Sequence, residues 1–250
     1  MAAGFAGFPK EGIQFLRALK KNNRREWFQP RKHIYESQVR APMLELAAAL
    51  NAEMMEFAPA YVREPAEAVF RIYRDTRFSH DKTPYKTHIA AVFTRRGYAR
   101  HAGAGLYFSV APDEVEVAAG VYMPTPETLR AIRLHLLEHH EEFRRIISAE
   151  PLRELMGELQ GERLTRVPKG CPADHPAADL VRYKQWLFWT LLDPPLALTP
   201  KLFDEIVARF RVLTPFVEFL NLPLRGAKQA PPLDLFLQSS RSGRRPASAG

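Results

Sequence analysis

The sequence predicts an α+β fold, in which N-terminal helices precede a central, mostly antiparallel sheet and C-terminal helices pack on one face of that sheet. First, apolar residues follow a helical period up to residue 57, a strand-like pattern between residues 68 and 123, and a helical period again afterwards. Second, Gly, Pro and charged residues separate the strand-like runs at short intervals. Third, Pro112-Asp113 lies between two of these runs and suits the turn of a hairpin, which joins antiparallel strands.

The N-terminal part of the chain predicts helices. A first helix is indicated by three apolar residues at helical spacing, Ile13, Leu16 and Leu19. It is expected to end at Asn22, and Asn23 is expected to cap the next helix, with Glu26 in the position of a capping box. A long amphipathic stripe over residues 35–57 predicts a further helix, which Pro42 is expected to kink or split.

The middle and C-terminal parts predict strands and then helices again. Four strands are expected at residues 68–75, 88–94, 105–111 and 115–123. Helical spacing returns at residues 126–147, after Thr125 as a cap and Pro126 at the first helical position. Then follow a shorter helix at residues 151–159, a loop at 161–176, a short helix up to residue 183 and a strand over Trp186–Leu192. The last helix is expected to begin at Thr199-Pro200 and to restart at Pro215.

The charge of the chain is concentrated in two segments. We expect one domain, residues 8–222, followed by a basic and mostly disordered tail, residues 223–250. The formal net charge is +8, and residues 71–101 carry eight basic residues against two acidic ones. The tail from Arg225 carries five basic residues against one acidic residue, so the rest of the chain is almost neutral. Such localised charge favours phosphates, nucleic acid or acidic surfaces as partners.

Composition excludes several classes of protein. The chain is 46% hydrophobic and 26% charged, as globular proteins are. No apolar stretch approaches the roughly 20 residues that span a bilayer, so we expect no membrane partner. The first residues have no features of a signal peptide, and Cys171 as a single cysteine excludes an intramolecular disulfide and a cysteine zinc site. A cytoplasmic protein is therefore expected.

Residues 71–86, which read RIYRDTRFSHDKTPYK, are the most informative segment. Further motifs are N-N-R-x-E-W-F at residues 22–28, G-x-Y at 120–122, P-K-G at 168–170 and D-H-P at 174–176. Together with the central R-x-Y-R-D-x-R-F-x-x-D-K-x-P-Y-K, these motifs resemble those of a widespread bacterial and fungal family of uncharacterised proteins with a conserved domain of unknown function. The resemblance extends from about residue 8 to residue 222. The resemblance implies no particular activity. That family typically has an aromatic residue after P-K-G, so Cys171 at this position argues against a shared cysteine nucleophile.

Residues 71–86, called the basic corner below, are interpreted as an extended segment that runs into a loop stiffened by Pro84. The candidate ligand-binding residues are Arg71, Tyr73, Arg74, Asp75, Arg77, Asp81, Lys82, Tyr85 and Lys86. Guanidinium and ammonium groups bind phosphate or carboxylate, and tyrosines stack on a base or donate to a phosphate oxygen. In the alternative interpretation, the two aspartates pair with the arginines and the corner is a structural charge network. The excess of cations over carboxylates favours an anion site.

Two further patterns carry weaker signals. His135, Glu138 and His139 match the H-x-x-E-H of inverted zinc peptidases, but no distal carboxylate ligand is identifiable and helix packing also explains the pattern. Cys171 and His175 lie four residues apart in one loop, and such a lone pair is usually incidental. The sequence has no P-loop and no dinucleotide-binding glycine motif, so we expect no cofactor and no metal.

Three classes of function remain open at this point. The first is binding, with or without turnover, of a phosphorylated or otherwise anionic small molecule at the basic corner. The second is association with nucleic acid through the basic corner and the tail, and the third is a protein-interaction scaffold. A basic groove favours the first, a continuous basic face with exposed aromatic residues the second, and a broad apolar patch the third.

Overall fold

The computed structural model describes residues 5–77, 79–98 and 102–225. It confirms the predicted α+β architecture, with helices at the N-terminus, a four-stranded antiparallel sheet in the middle and a C-terminal helix packed on the sheet. The predicted tail lies almost entirely outside the described residues, which end with a helical turn at Leu222–Leu224 and with Arg225.

In the described part of the chain, five α-helices precede the sheet. They are α1 (Lys10–Lys21), α2 (Arg25–Phe28), α3 (Lys32–Ile34), α4 (Ala41–Phe57) and α5 (Pro65–Ala68). A 3₁₀ turn, Gln29–Arg31, joins α2 to α3, and a π-helical segment, Tyr35–Arg40, joins α3 to α4. The long predicted helix thus changes its hydrogen-bond pattern just before Pro42, because proline has no N–H to donate and its ring crowds the preceding turn.

The sheet contains β1 (Ile89–Thr94), β2 (Gly105–Val110), β3 (Val115–Val121) and β4 (Trp186–Leu192), in that order and all antiparallel. The hairpin predicted at Pro112-Asp113 is confirmed, since Val110 pairs with Val115 on either side of it. Gly120 faces the last strand so closely that a Cβ atom would lie 2.0 Å from the carbonyl oxygen of Trp186. The close approach of β4 therefore explains why the first position of the G-x-Y motif is a glycine.

The strand predicted at residues 68–75 is wrong. Residues up to Ala68 end α5, and the chain beyond makes only isolated bridges, Val69 to Ala91 and Tyr73 to Tyr85. The reason is that this segment folds back on residues 84–86 of its own loop, so most of its backbone groups do not join a sheet ladder. The alternation expected for an extended segment is nevertheless present, with Phe70 and Ile72 buried and Arg71 exposed.

The C-terminal half supplies the fourth strand and the helices behind the sheet. The helices are α6 (Pro126–Ile147), α7 (Glu150–Met156), α8 (Ala178–Val181) and α9 (Lys201–Asn221). Thr125 caps α6 as predicted, since its side chain accepts a hydrogen bond from the Thr128 amide. The predicted restart at Pro215 is wrong: α9 continues through this residue, and the Thr214 hydroxyl donates to the Phe210 carbonyl.

The main hydrophobic core lies between the sheet and the helices. Phe210 of α9 packs against Phe93 of β1 and Phe108 of β2, with ring centroids 5.9 and 6.3 Å apart. Asn221, which is fully buried, donates to Tyr61 and to the Ala104 carbonyl and accepts from the Ala104 amide, so its polar atoms are satisfied inside the core. Within the described part of the chain, no helix is long and apolar enough to cross a membrane.

Candidate functional site

The basic corner is a loop that returns on itself. The Arg74 amide donates to the Pro84 carbonyl at 2.9 Å, and the Lys86 amide donates to the Ile72 carbonyl at 2.8 Å. These bonds hold the two arms of the loop together next to the bridge between Tyr73 and Tyr85. The sequence-predicted residues on the two arms therefore lie close to one another, as the interpretation of the segment requires.

Asn23 fixes the basic corner to the N-terminal helices. Its side-chain oxygen accepts from the Tyr85 amide at 3.0 Å, and its side-chain nitrogen donates to the Tyr85 carbonyl at 2.8 Å. The expectation that Asn23 caps a helix is wrong, because Arg24 occupies the cap position and the Asn23 amide group is used by Tyr85. Phe28 of α2 stacks on the Tyr85 ring with centroids 4.1 Å apart. Asn23 and Tyr85 are 62 residues apart in sequence, so this contact joins two distant segments of the chain.

Asp81 accepts hydrogen bonds on one side of the loop. Its carboxylate accepts from the Thr83 amide at 2.9 Å and from the Arg74 guanidinium at 2.5 Å. The Arg74 guanidinium also donates to the Thr83 hydroxyl. The Thr83 amide first, and then Arg74, lower the pKa of Asp81 to about 2. This carboxylate is therefore ionised at neutral pH and neutralises Arg74.

Asp75 holds Arg77 in the same way. The Arg77 guanidinium donates to both carboxylate oxygens of Asp75, at 3.0 Å from Nε and 2.6 Å from Nη2. The Arg77 amide donates to Asp75 as well, and these side-chain and backbone hydrogen bonds lower the pKa of Asp75 to about 2. Such two-pronged contacts fix the geometry of both side chains. Arg77 is thus paired with a carboxylate of its own loop.

The lysines of the basic corner donate to backbone carbonyls. Lys82 Nζ lies 2.9 Å from the Thr76 carbonyl, and Lys86 Nζ lies 2.7 Å from the Arg71 carbonyl. Lys86 is only 4% exposed, and its ammonium group lies 5.2 Å from the centre of the Phe70 ring. The ammonium of Lys86 therefore stabilises the loop from inside.

The nine candidate residues consequently form two groups. The buried or half-buried group supports the loop: Arg74, Asp75, Tyr85 and Lys86. The exposed group faces outward: Arg71, Tyr73, Arg77, Asp81 and Lys82. Tyr73 is 43% exposed, although its ring lies 5.5 Å from that of Tyr85 and 6.5 Å from that of Phe28. The two aspartates and two of the arginines thus form the ion pairs of a charge network. The outer surface of the loop remains basic, because Arg71 and Lys82 are also exposed there.

The structure adds residues of α2 that the sequence did not assign to the site. Arg25 lies close enough to the Tyr85 hydroxyl to influence its pKa, which burial raises above the usual value. Next to it, a cleft of about 540 Å³ is lined by Arg24, Glu26, Trp27 and Arg31. The Arg31 guanidinium lies 4.8 Å above the Trp27 ring. The N-N-R-x-E-W-F motif was the available signal, but only the contact with Tyr85 places it at the basic corner.

The weaker motifs lie elsewhere in the fold. His135 and His139 are on α6, with ring centroids 4.5 Å apart, and the helix is kinked at His139. Among the residues that the structure describes, no group of three or more His, Cys, Asp or Glu side chains is arranged to hold a metal ion. His175 Nδ1 accepts from the Ala177 amide at 3.1 Å, so this nitrogen supports the backbone before α8. Cys171 is half-buried in the loop before it.

Comparison with known proteins places the chain in a family. No curated protein and no solved structure matches it. Residues 11–219 match the family described as "Conserved hypothetical protein (DUF2461)". This range includes nearly all of α1 and of α9, together with the basic corner and the whole sheet. Because the match covers most of the chain, the protein belongs to the DUF2461 family.

Proposed function

We propose that the protein binds a phosphorylated or otherwise anionic small molecule on the surface where α2 meets the basic corner. One observation carries this proposal. The contact between Asn23 and Tyr85 places Arg24 and Arg25, both exposed, beside the basic corner, and neither guanidinium has a hydrogen-bond or ion-pair partner within residues 5–77, 79–98 and 102–225. We call Arg24, Arg25, Trp27, Arg31 and Tyr73 the α2 surface.

The charge of this surface supports an anionic ligand. Residues 22–32 carry four basic residues against one acidic residue, and residues 71–86 carry five against two. Folding brings these two segments into contact, although they are separated by 38 residues that carry six acidic residues against two basic ones. A guanidinium group offers a planar fork that matches phosphate or carboxylate oxygens, so unpaired arginines are well suited to hold them.

The aromatic residues favour a ligand with a flat ring. Trp27 is half-buried and Tyr73 is exposed, and both belong to the α2 surface. Exposed aromatic faces stack on nucleobases, and each such contact is worth about 1–3 kcal/mol. A nucleotide would combine the two features, with its phosphates at Arg24 and Arg25 and its base on an aromatic ring.

The basic corner has a supporting part in this proposal. Arg74 and Arg77 already bind Asp81 and Asp75, so a ligand would have to compete with these carboxylates. Their ion pairs instead hold the loop that presents Tyr73. The proposal therefore assigns direct ligand contacts to the α2 surface first and to the exposed cations Arg71 and Lys82 second.

Single-stranded nucleic acid is the second candidate, favoured by the exposed Tyr73 ring and the exposed arginines on one open surface. The dependence of affinity on the length of the ligand and on the salt concentration distinguishes the two candidates. A small-molecule site binds a mononucleotide as tightly as an oligonucleotide of ten residues. A nucleic-acid surface binds the oligonucleotide much more tightly, and its affinity falls steeply as the salt concentration rises.

The test is calorimetric titration of the full chain with ATP, pyrophosphate, glucose 6-phosphate and a ten-residue oligothymidylate. The double variant Arg24→Gln/Arg25→Gln is expected to weaken binding at least about tenfold, because each lost charge-assisted hydrogen bond costs about 1.5–3 kcal/mol. Arg145→Gln, an exposed arginine on α6, serves as the matched control and is expected to bind like the wild type. Equal binding by the wild type and the double variant, or no binding of any of the four compounds, contradicts the proposal.

A further inference from the structure

A second concave region lies far from the α2 surface in sequence, in the loop between α7 and α8. It forms an open cleft with a volume of about 820 Å³. Charged or reactive side chains that line it are Arg166, Lys169, Cys171, Asp179 and Arg182. This cavity, called the loop cavity below, has the volume of typical small-molecule sites, which is about 300–1,000 Å³.

The walls of the loop cavity are held by hydrogen bonds. The Leu164 amide donates to the Arg182 carbonyl at 2.8 Å, which ties the beginning of the loop to the segment after α8. The Cys171 amide donates to the Pro168 carbonyl at 3.1 Å and closes a turn. Gly170 has a φ of +90° in this turn, a conformation that other residues rarely adopt. The P-K-G motif thus builds a defined turn at the rim of the cavity.

The carboxylate of the cavity wall is already neutralised. Arg144 of α6 binds both oxygens of Asp179, at 2.6 and 3.3 Å, and also donates to the Pro176 carbonyl. Burial raises the pKa of Asp179, but the hydrogen bond and charge of Arg144 outweigh this effect and lower the pKa below its usual value. The carboxylate is therefore ionised and occupied, and it is not available to neutralise a cation across the cavity.

The cations of the loop cavity differ from those of the basic corner. Among the described residues, Arg166, Lys169 and Arg182 have no hydrogen-bond or ion-pair partner for their side chains. Arg133, which does not line the cavity, donates to the carbonyls of Val181 and Tyr183 and lies close enough to Cys171 to interact with it electrostatically. The cavity therefore has an uncompensated positive charge.

We propose that the loop cavity binds a small organic anion, whose carboxylate or phosphate group contacts Arg166, Lys169 and Arg182. Apolar groups in the wall, from Val167, Pro168, Ala173 and Pro176, match an apolar portion of the same molecule. This site is separate from the α2 surface, and it does not depend on the function proposed there.

Cys171 provides a direct probe, because it is the single cysteine of the chain and lines the cavity. The experiment compares the alkylation rates of the full chain with iodoacetate, an anion, and iodoacetamide, its neutral analogue. Positive charge around Cys171 selectively accelerates its reaction with the anionic reagent. The ratio of the iodoacetate rate to the iodoacetamide rate is therefore expected to exceed the same ratio for N-acetylcysteine several-fold. The triple variant Arg166→Gln/Lys169→Gln/Arg182→Gln is expected to lose most of this excess.

Ligand protection completes the test. Phenyl phosphate and benzoate, each with a matched neutral control (phenol and benzamide), are titrated while iodoacetamide labels Cys171. The proposal expects saturable protection by at least one of the two anions, weakened in the triple variant and unchanged in Arg24→Gln/Arg25→Gln. Lys184→Gln, which removes an exposed cation paired with Glu162 outside the lining of the cavity, is expected to behave like the wild type.

The outcomes that overturn this proposal are separate from those that overturn the function of the α2 surface. Absence of saturable protection by either anion contradicts a binding site in the loop cavity. Protection that the triple variant does not weaken, or an alkylation ratio that it does not lower, contradicts the assignment to Arg166, Lys169 and Arg182. Thermal melts of the triple variant show whether it is folded; if it is not, the three single variants replace it.

Discussion

The basic corner and the loop cavity are both rich in cations, but their cations have different surroundings. In the basic corner, Arg74 and Arg77 are bound by Asp81 and Asp75 of the same loop. In the loop cavity, the wall carboxylate Asp179 is bound by Arg144, from a different element, and Arg182 is left without a partner among the described residues. The comparison shows that the number of basic residues in a segment does not determine how many are available to a ligand.

The same difference separates structural charges from binding charges within the N-terminal half. The ion pairs of the basic corner keep an irregular loop in one conformation, and water reduces their contribution because Asp81 and Arg77 are exposed. Arg24 and Arg25 on α2 have no such partner in the described part of the chain, so their removal costs the fold little. Stability measurements therefore distinguish the two kinds of arginine even before a ligand is identified.

The largest effect is expected from the contact that joins α2 to the basic corner. Asn23→Ala leaves the amide and carbonyl of the buried Tyr85 without their partners, which is expected to lower the free energy of unfolding by about 2–4 kcal/mol. Urea unfolding followed by circular dichroism measures this loss. Asn22→Ala, which removes a local hydrogen bond to the Ala18 carbonyl, is the control and is expected to cost about 1 kcal/mol or less. Equal decreases in the free energy of unfolding of both variants would show that the contact between Asn23 and Tyr85 stabilises the fold no more than a local hydrogen bond does.

A smaller effect is expected when a paired arginine of the basic corner is removed. Arg74→Gln breaks the ion pair with Asp81 and is expected to cost about 1 kcal/mol, since Asp81 is 57% exposed and water screens the interaction. The free energy of unfolding in urea measures it. Arg145→Gln is again a suitable control, with an expected change within about 0.5 kcal/mol. An unchanged or increased stability of Arg74→Gln would remove the structural interpretation of this pair.

The pH dependence of stability tests the two aspartates. The pKa values of Asp75 and Asp81 are lowered from 3.8 to about 2 in the folded chain, so their stabilising effect is present above pH 4 and is lost as the pH falls from 4 towards 2. In thermal melts, the difference in Tm between the wild type and Asp75→Asn/Asp81→Asn is expected to be constant above pH 4.5, to be small near pH 2 and to be lost below it. A difference that persists unchanged at pH 2 would mean that the charge of these carboxylates is not its source.

The smallest effect is expected in the loop cavity. Arg182→Gln is expected to change the free energy of unfolding by no more than about 0.5 kcal/mol, because its side chain has no ion-pair or hydrogen-bond partner among the described residues. Asp179→Asn, which leaves Arg144 without its paired carboxylate, is the informative contrast and is expected to be the less stable of the two. Urea unfolding of both variants is the measurement. A cost of 1 kcal/mol or more for Arg182→Gln would show that the fold uses this cation.

Much of the fold was predictable because local patterns determine it. The alternating apolar residues of β3, the proline and threonine at the start of α6 and the apolar run of β4 each indicate their structure without distant contacts. The segment at residues 68–75 was predicted wrongly for the opposite reason. Its residues have the composition of a strand, but only Val69 and Phe70 pair with β1, and the backbone partners of Ile72 and Arg74 lie in their own loop at residues 84–86. Composition does not show where such partners lie.

The candidate site was predictable only in part. The two arms of the basic corner do lie together, as the bridge between Tyr73 and Tyr85 shows, but the assignment of its residues to a ligand site stays a prediction. The sequence pattern assigned Asn23 to a helix cap, and the contact with Tyr85 across 62 residues could not be derived from local spacing. Which arginine is paired also depends on side-chain geometry: Asp81 binds Arg74, seven positions earlier, whereas Asp75 binds Arg77, two positions later. The prediction that the corner binds an anion stays a prediction.

The most direct test of the central claim compares two double variants side by side, Arg74→Gln/Arg77→Gln and Arg24→Gln/Arg25→Gln. Urea unfolding gives the stability of each, and calorimetric titration with ATP gives its affinity. If paired arginines support the fold and unpaired arginines bind the ligand, the first variant is destabilised, whereas the second keeps its stability but loses affinity at least about tenfold. The reverse result, with unchanged stability and lost affinity in Arg74→Gln/Arg77→Gln, would contradict the account.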